Sequence, residues 1–232
     1  MKVAILFSGG KDSTLAVEYC MQQGWEIAYL LSVKPSRTDC YLYHFANVEH
    51  TPVLADALGL KHILKTCDVA DPKKEAWIVS NVVAENPVDA VVLGGVGLQE
   101  TQIKSVKEAL APLGVEAFAS HAGQDHGEIL RDMIERGYDI RVGQYAVDGL
   151  SPEWLGRQLD EDAFEELKEA SEKYGFHVGG EGGHYDTFVL DGPIFRKQIH
   201  FADLYKVKEG KYSGYLVVKK LKVVPKERLV RA

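Results

Sequence analysis

Between residues 3 and 118, five short apolar runs alternate with stretches of helical period, and this order leaves a chain few architectures to choose from. The strand-like runs are residues 3–7, 26–33, 61–64, 90–93 and 115–118. Helical stretches fall at 12–23, 48–58, 73–85 and 98–110, with Gly24, Gly59, Pro87, Pro112 and Gly114 as stops. The first run is apolar throughout, as expected of a strand covered on both faces. Strand and helix in alternation predict an α/β fold, a doubly wound parallel sheet with helices on both sides. The second half changes character. Helices are predicted over 125–135 and 160–174, and extended segments over 138–147, 187–190, 197–207 and 215–224, with hairpin turns at Glu209-Gly210 and Ser213-Gly214. A boundary at residues 120–123 divides the chain into an N-terminal nucleotide-binding domain, 1–121, and a smaller C-terminal α+β domain, 122–232, which would bind the acceptor.

The junction after the first run carries the chemistry. Ser8-Gly9-Gly10-Lys11-Asp12-Ser13 lies where an apolar strand becomes a helix. Ligands of such sheets bind outside the carboxyl ends of the strands. A helix start offers unpaired N–H groups and the positive end of the helix dipole. Two glycines let the backbone approach a phosphate without a Cβ in the way. Ser8 and Ser13 add hydroxyls and Lys11 adds a point charge. Asp12 can cap the helix or help hold Mg2+. The spacing is neither that of a Walker A loop nor G-x-G-x-x-G. Around this junction, Ser32 at the end of the second strand is a candidate adenine contact. Gly94 and Gly95 after the fourth could also let backbone approach the nucleotide.

Two further segments stand out. Cys40 to Asn47 concentrates Tyr41, Tyr43, His44 and Phe45 after a strand end. Gly180-Glu181-Gly182-Gly183-His184-Tyr185-Asp186-Thr187 describes a tight loop with convergent polar groups entering a strand. The remaining histidines show no ligand spacing such as H-E-x-x-H, so no zinc site is expected. Three cysteines, Cys20, Cys40 and Cys67, lack a C-x-x-C pair. They suit a reduced cytoplasm rather than a disulfide framework. The apolar run at the N-terminus is too short for a signal core, and no window approaches a membrane span. The net charge of −7 is uneven. Residues 196–231 hold 11 basic and 3 acidic residues. That tail suits a half-exposed edge sheet kept soluble by lysines, the alternative being an acidic partner or nucleic acid.

Ser8 to Ser13 closely resembles the PP-loop of N-type ATP pyrophosphatases, whose HUP-like fold and ATP chemistry are thereby implied. In that family the loop grips the β- and γ-phosphates as pyrophosphate, and AMP passes to an acceptor. The wider pattern resembles diphthine–ammonia ligases. Cys40-Tyr41-Leu42-Tyr43-His44 with Asn47, Gly149-Leu150, Leu155-Gly156-Arg157, Gly180 to Gly183 and Pro193-Ile194-Phe195 carry the likeness. It covers most of residues 1–200. The resemblance implies that ATP adenylates the carboxylate of diphthine on translation elongation factor 2 and that ammonium displaces AMP. It implies nucleotide binding by Ser8, Gly9, Gly10, Lys11, Asp12, Ser13, Ser32, Gly94 and Gly95, and catalytic roles for Lys11, Asp12 and Glu181. Acceptor or ammonia binding would fall to Tyr43, His44, Asn47, Gly182, Gly183, His184, Asp186 and Thr187. Cofactors implied are ATP and Mg2+. A homodimer is among the assemblies expected, while neither a membrane nor a nucleic acid is the expected partner.

The chain also departs from the family. His184-Tyr185-Asp186-Thr187 stands where the family has Glu-aromatic-Glu-Thr, and Ala119-Ser120-His121 lacks its tryptophan. An N-type ATP pyrophosphatase acting on another carboxylate, an RNA thiolase of the same fold and an ATP- or AMP-binding regulatory protein are the alternatives. The absence of paired cysteines weighs against the thiolase. No glutaminase triad is found, so free ammonium is the expected nitrogen source.

Overall fold

The computed structural model describes residues 1–35, 48–68, 71–94 and 100–226. Strands β1 (Lys2–Leu6), β2 (Glu26–Pro35), β3 (His62–Cys67), β4 (Ala90–Leu93) and β5 (Glu116–Ala119) form one parallel sheet in the order β3-β2-β1-β4-β5. Alternation along β1 sends neighbouring side chains to opposite faces. Val3 and Ile5 join a core with helices α1 (Lys11–Gln22) and α2 (Thr51–Leu58). Ala4 joins a second core with α3 (Pro72–Glu85) and α4 (Glu100–Leu110). The doubly wound sheet expected from the alternation is therefore the one found. Strand order reverses at β1, so the crevice between the carboxyl ends of β1 and β4 is the topological switch point.

The expected element boundaries shift for local reasons. The stretch at 48–58 opens as a 3₁₀ turn (Val48–His50), and Pro52 then sits in the first turn of α2. β3 runs on to Cys67 because it stays paired with β2 from Leu30↔His62 to Pro35↔Cys67. Asp125 and Asp160 are caps rather than helical residues. Asp125 accepts from the N–H groups of Gly127 and Glu128 ahead of α5 (His126–Glu135). Asp160 accepts from Ala163 ahead of α6 (Glu161–Tyr174).

The second sheet is antiparallel: β6 (Asp139–Ala146), β7 (Tyr185–Asp191), β8 (Lys197–Lys208) and β9 (Ser213–Pro225), in the order β7-β6-β9-β8. Its core is continuous with that of the parallel sheet. Val3, Leu30 and Leu58 belong to the same buried cluster as Tyr145, Val189, Ile199 and Leu216. The basic tail is the outer hairpin, with Lys206, Lys208, Lys219, Lys220 and Lys222 exposed on it. It docks on α2: the Arg196 N–H donates to Ala57, and Lys197 pairs with Asp56 at 2.8 Å. No described helix is long and apolar enough to cross a membrane.

Candidate functional site

The loop from Ser8 to Ser13 occupies the switch point. Gly9 has φ +82°, a conformation that favours glycine. The two serines brace the turn from within. Ser13 Oγ donates to the Gly10 carbonyl at 3.1 Å and lies 3.2 Å from Ser8 Oγ, which therefore donates to it. Gly94, at the end of β4, faces the start of α1. A Cβ there would lie 2.8 Å from the Asp12 carbonyl carbon and 2.9 Å from the Ser13 nitrogen. Glycine at 94 is thus required by close packing of β4 on the loop.

The loop does not stand alone in the parallel sheet. β7 of the second sheet lies directly over it. The Val189 N–H donates to the Gly9 carbonyl at 2.9 Å, and Thr187 Oγ1 accepts from the Lys11 N–H at 3.0 Å. A Cβ on Gly10 would lie 3.0 Å from the Thr187 carbonyl. Thr187, expected among the acceptor-binding residues, is placed as a cap on the phosphate-loop helix. Lys11 is buried at 5% exposure, its Nζ 2.9 Å from Asp12 Oδ2.

Asp12 is where the two sheets' side chains converge. Its second oxygen, Oδ1, lies 3.2 Å from His126 Nδ1 and 3.6 Å from His121 Nε2. Both histidines are 3% exposed. His121 follows β5, and His126 opens α5 under the Asp125 cap. On the far side of His126, Nε2 faces Glu181 Oε1 at 3.3 Å. The Asp12 carboxyl sits well below the usual carboxylate range. Burial alone would raise it, but the Lys11 ammonium and the His121 and His126 rings together outweigh that. Burial, with the Asp12 charge adding to it, pushes the Tyr185 hydroxyl well up. That hydroxyl donates to the Val178 carbonyl at 2.5 Å.

The other expected residues fall as follows. Glu181, Gly182, Gly183 and His184 form the loop entering β7. His184 Nδ1 donates to the Glu181 carbonyl at 2.7 Å, folding its ring back over Gly182. Asp186 is on β7, opposite Gln144. Ser32 is buried, and its hydroxyl is engaged inside the sheet. It donates to the Phe7 carbonyl at 2.5 Å and accepts from His62 Nε2 at 2.9 Å. Tyr43, His44, Asn47 and Gly95 lie outside the described residues.

His121 and His126 were not singled out by sequence spacing. Neither lies near Asp12 in the chain, and only the turn after β5 and the start of α5 bring both to it. The expectation that Asp12 holds Mg2+ meets a poor donor set here. Magnesium takes oxygen ligands, whereas the groups converging on Asp12 are imidazole nitrogens.

Comparison with known proteins gives a consistent picture. Residues 1–119 match the diphthamide synthase N-terminal domain and residues 125–224 the diphthamide synthase C-terminal domain. A Danio rerio protein named diphthine–ammonia ligase is 31% identical over 86% of this chain and 86% of its own length. Proteins of the same name from Homo sapiens and Rattus norvegicus are each 28% identical. The human one aligns over 86% of this chain and 82% of its own length, the rat one over 97% and 96%.

Proposed function

The chain belongs to the diphthamide synthase family, and on that premise we propose that it is an ATP-dependent, AMP-forming ligase that amidates the carboxylate of diphthine on translation elongation factor 2. A carboxylate is a poor electrophile. Its oxygen attacks the α-phosphorus of ATP, the bond from that phosphorus to the β-phosphate bridge breaks, and pyrophosphate leaves. The acyl-adenylate then has a good leaving group. Ammonia attacks its carbonyl carbon, the bond to AMP breaks with its electron pair, and the amide remains.

The observation that carries this reading is the closure of the phosphate loop by the glycine-rich loop's own strand. Thr187 and Val189 bond to Lys11 and Gly9, which supports a reading in which the loop proposed to hold pyrophosphate and the loop proposed to present the acceptor share one site. Lys11 and the first-turn N–H groups of α1 offset the charge that develops on departing pyrophosphate. Glu181, one-third exposed at the loop, supplies a counter-charge for ammonium and takes the proton released on attack. ATP enters as its magnesium complex, and the nitrogen source is free ammonium in a cytoplasmic setting. Mass spectrometry of diphthine-bearing elongation factor 2 after incubation with ATP and ammonium tests the proposal. Conversion of the acid to the amide is expected. Conversion with glutamine alone in ammonium-free buffer would remove free ammonium from the account.

A further inference from the structure

Asp12, His121 and His126 place one carboxylate oxygen and two imidazole nitrogens within 4.8 Å of one another. Around a tetrahedral divalent ion with bonds of about 2.0–2.1 Å, neighbouring ligand atoms stand roughly 3.3–3.4 Å apart. The Asp12 Oδ1 separations of 3.2 Å to His126 and 3.6 Å to His121 bracket that edge. Asp12 Oδ1 and His121 Nε2 are also buried without a hydrogen-bond partner, a costly condition for polar atoms that face no cation.

The ring of His121 is held from behind. Its Nδ1 lies 2.8 Å from the Ser120 hydroxyl, which also reaches the Leu93 carbonyl at 3.3 Å, and this leaves Nε2 turned toward Asp12. His126 repeats the arrangement in mirror form. Nδ1 faces Asp12, and Nε2 lies 3.3 Å from Glu181 Oε1 without a hydrogen bond between them, so Glu181 stands where a carboxylate orienting a metal-bound histidine would stand. A cleft of about 820 Å³ between α1 and α5 is lined by His121, Asp125, Glu128 and Asp132.

We propose that Asp12, His121 and His126 bind a nitrogen-seeking first-row divalent cation, of the zinc or cobalt kind, with a coordination position open toward the phosphate loop. Three protein ligands and an open position are the form of a catalytic rather than a structural metal site. The cation's position beside the loop, where it would meet the nucleotide's phosphates, rests on the reading given under Proposed function. Its binding does not. The Lys11 ammonium on Asp12 Oδ2 is the like charge that opposes it.

The test is titration of the metal-stripped full-length chain with Co2+, without nucleotide, followed by visible absorption. A saturable band that Zn2+ abolishes and excess Mg2+ leaves in place is expected. His121→Gln and His126→Gln should lose it. Should either variant fail to fold, Ser120→Ala and Glu181→Gln spare the ligands and should weaken Co2+ by about 10–100-fold. Lys11→Met should tighten it. No band in the wild-type chain, or a band that survives these changes to both histidines, would overturn the site. A failure to form AMP while the band persists would count against the ligase reading and leave the site intact.

Discussion

Gly94 shows how single atoms set the geometry of the nucleotide crevice. A methyl group there meets the Asp12–Ser13 peptide unit of α1 within 3 Å, and backbone has little room to give. Gly94→Ala is expected to cost about 1–3 kcal/mol of stability and to weaken ATP binding in calorimetry, because the displaced atoms belong to Asp12 and Ser13. His62 supplies a pH signature. Burial lowers its pKa from the usual 6.5 to about 4. The native state therefore resists a proton that the unfolded chain accepts, and stability present above pH 6.5 is lost as pH falls toward 4. The loss, allowing for partial solvation, is on the order of 1–2 kcal/mol. His62→Gln keeps a donor for Ser32 and should flatten the denaturant midpoint across that window. Residue-scale roles were only partly legible in the sequence. The glycines and Lys11 announce a phosphate loop through their spacing. His121 and His126 carry no such signal, because their partner is brought to them by the sheet rather than by neighbouring sequence.

Among the elements, α1 is held at both ends by the second sheet's half of the chain. At its start, Thr187 caps Lys11. Thr187→Val keeps the shape but leaves that N–H without a partner, and about 1–2 kcal/mol should be lost on unfolding. Thr187→Ser should retain most of it. Toward its other end, Glu18 accepts from Arg136 at 2.6 and 2.7 Å and from Tyr138 at 2.9 Å. Burial, with Glu18 beside it, pushes the Tyr138 hydroxyl up. Glu18→Ala strands both partners, and a loss of about 2–4 kcal/mol is expected in denaturant titration. The alternation of apolar runs and helical stretches predicted the order of elements well, since strand and helix periods are local properties. It did not show that β7 would lie on the phosphate loop. The apolar residues of β7 say only that the strand is buried, and the facing partner is settled by packing of the whole chain.

At the scale of the molecule, two sheets share one core, so the nucleotide crevice and the glycine-rich loop cannot shift independently without opening buried surface. Val189 and Gly9 are joined by a backbone hydrogen bond, and the largest apolar cluster runs from Val3 in the parallel sheet to Val218 in the antiparallel one. The basic tail, whose charge raised the prospect of an acidic partner, is accounted for in part as the exposed edge hairpin docked on α2. This arrangement suits the proposed reaction, in which activation and amidation follow one another without release of the adenylate. ATP turnover with products resolved, in the presence and absence of diphthine-bearing elongation factor 2 and ammonium, tests the account most directly. AMP and pyrophosphate accumulating only when both are supplied is the expected result. ADP as product, or AMP formed at the same rate without the acceptor, would contradict it.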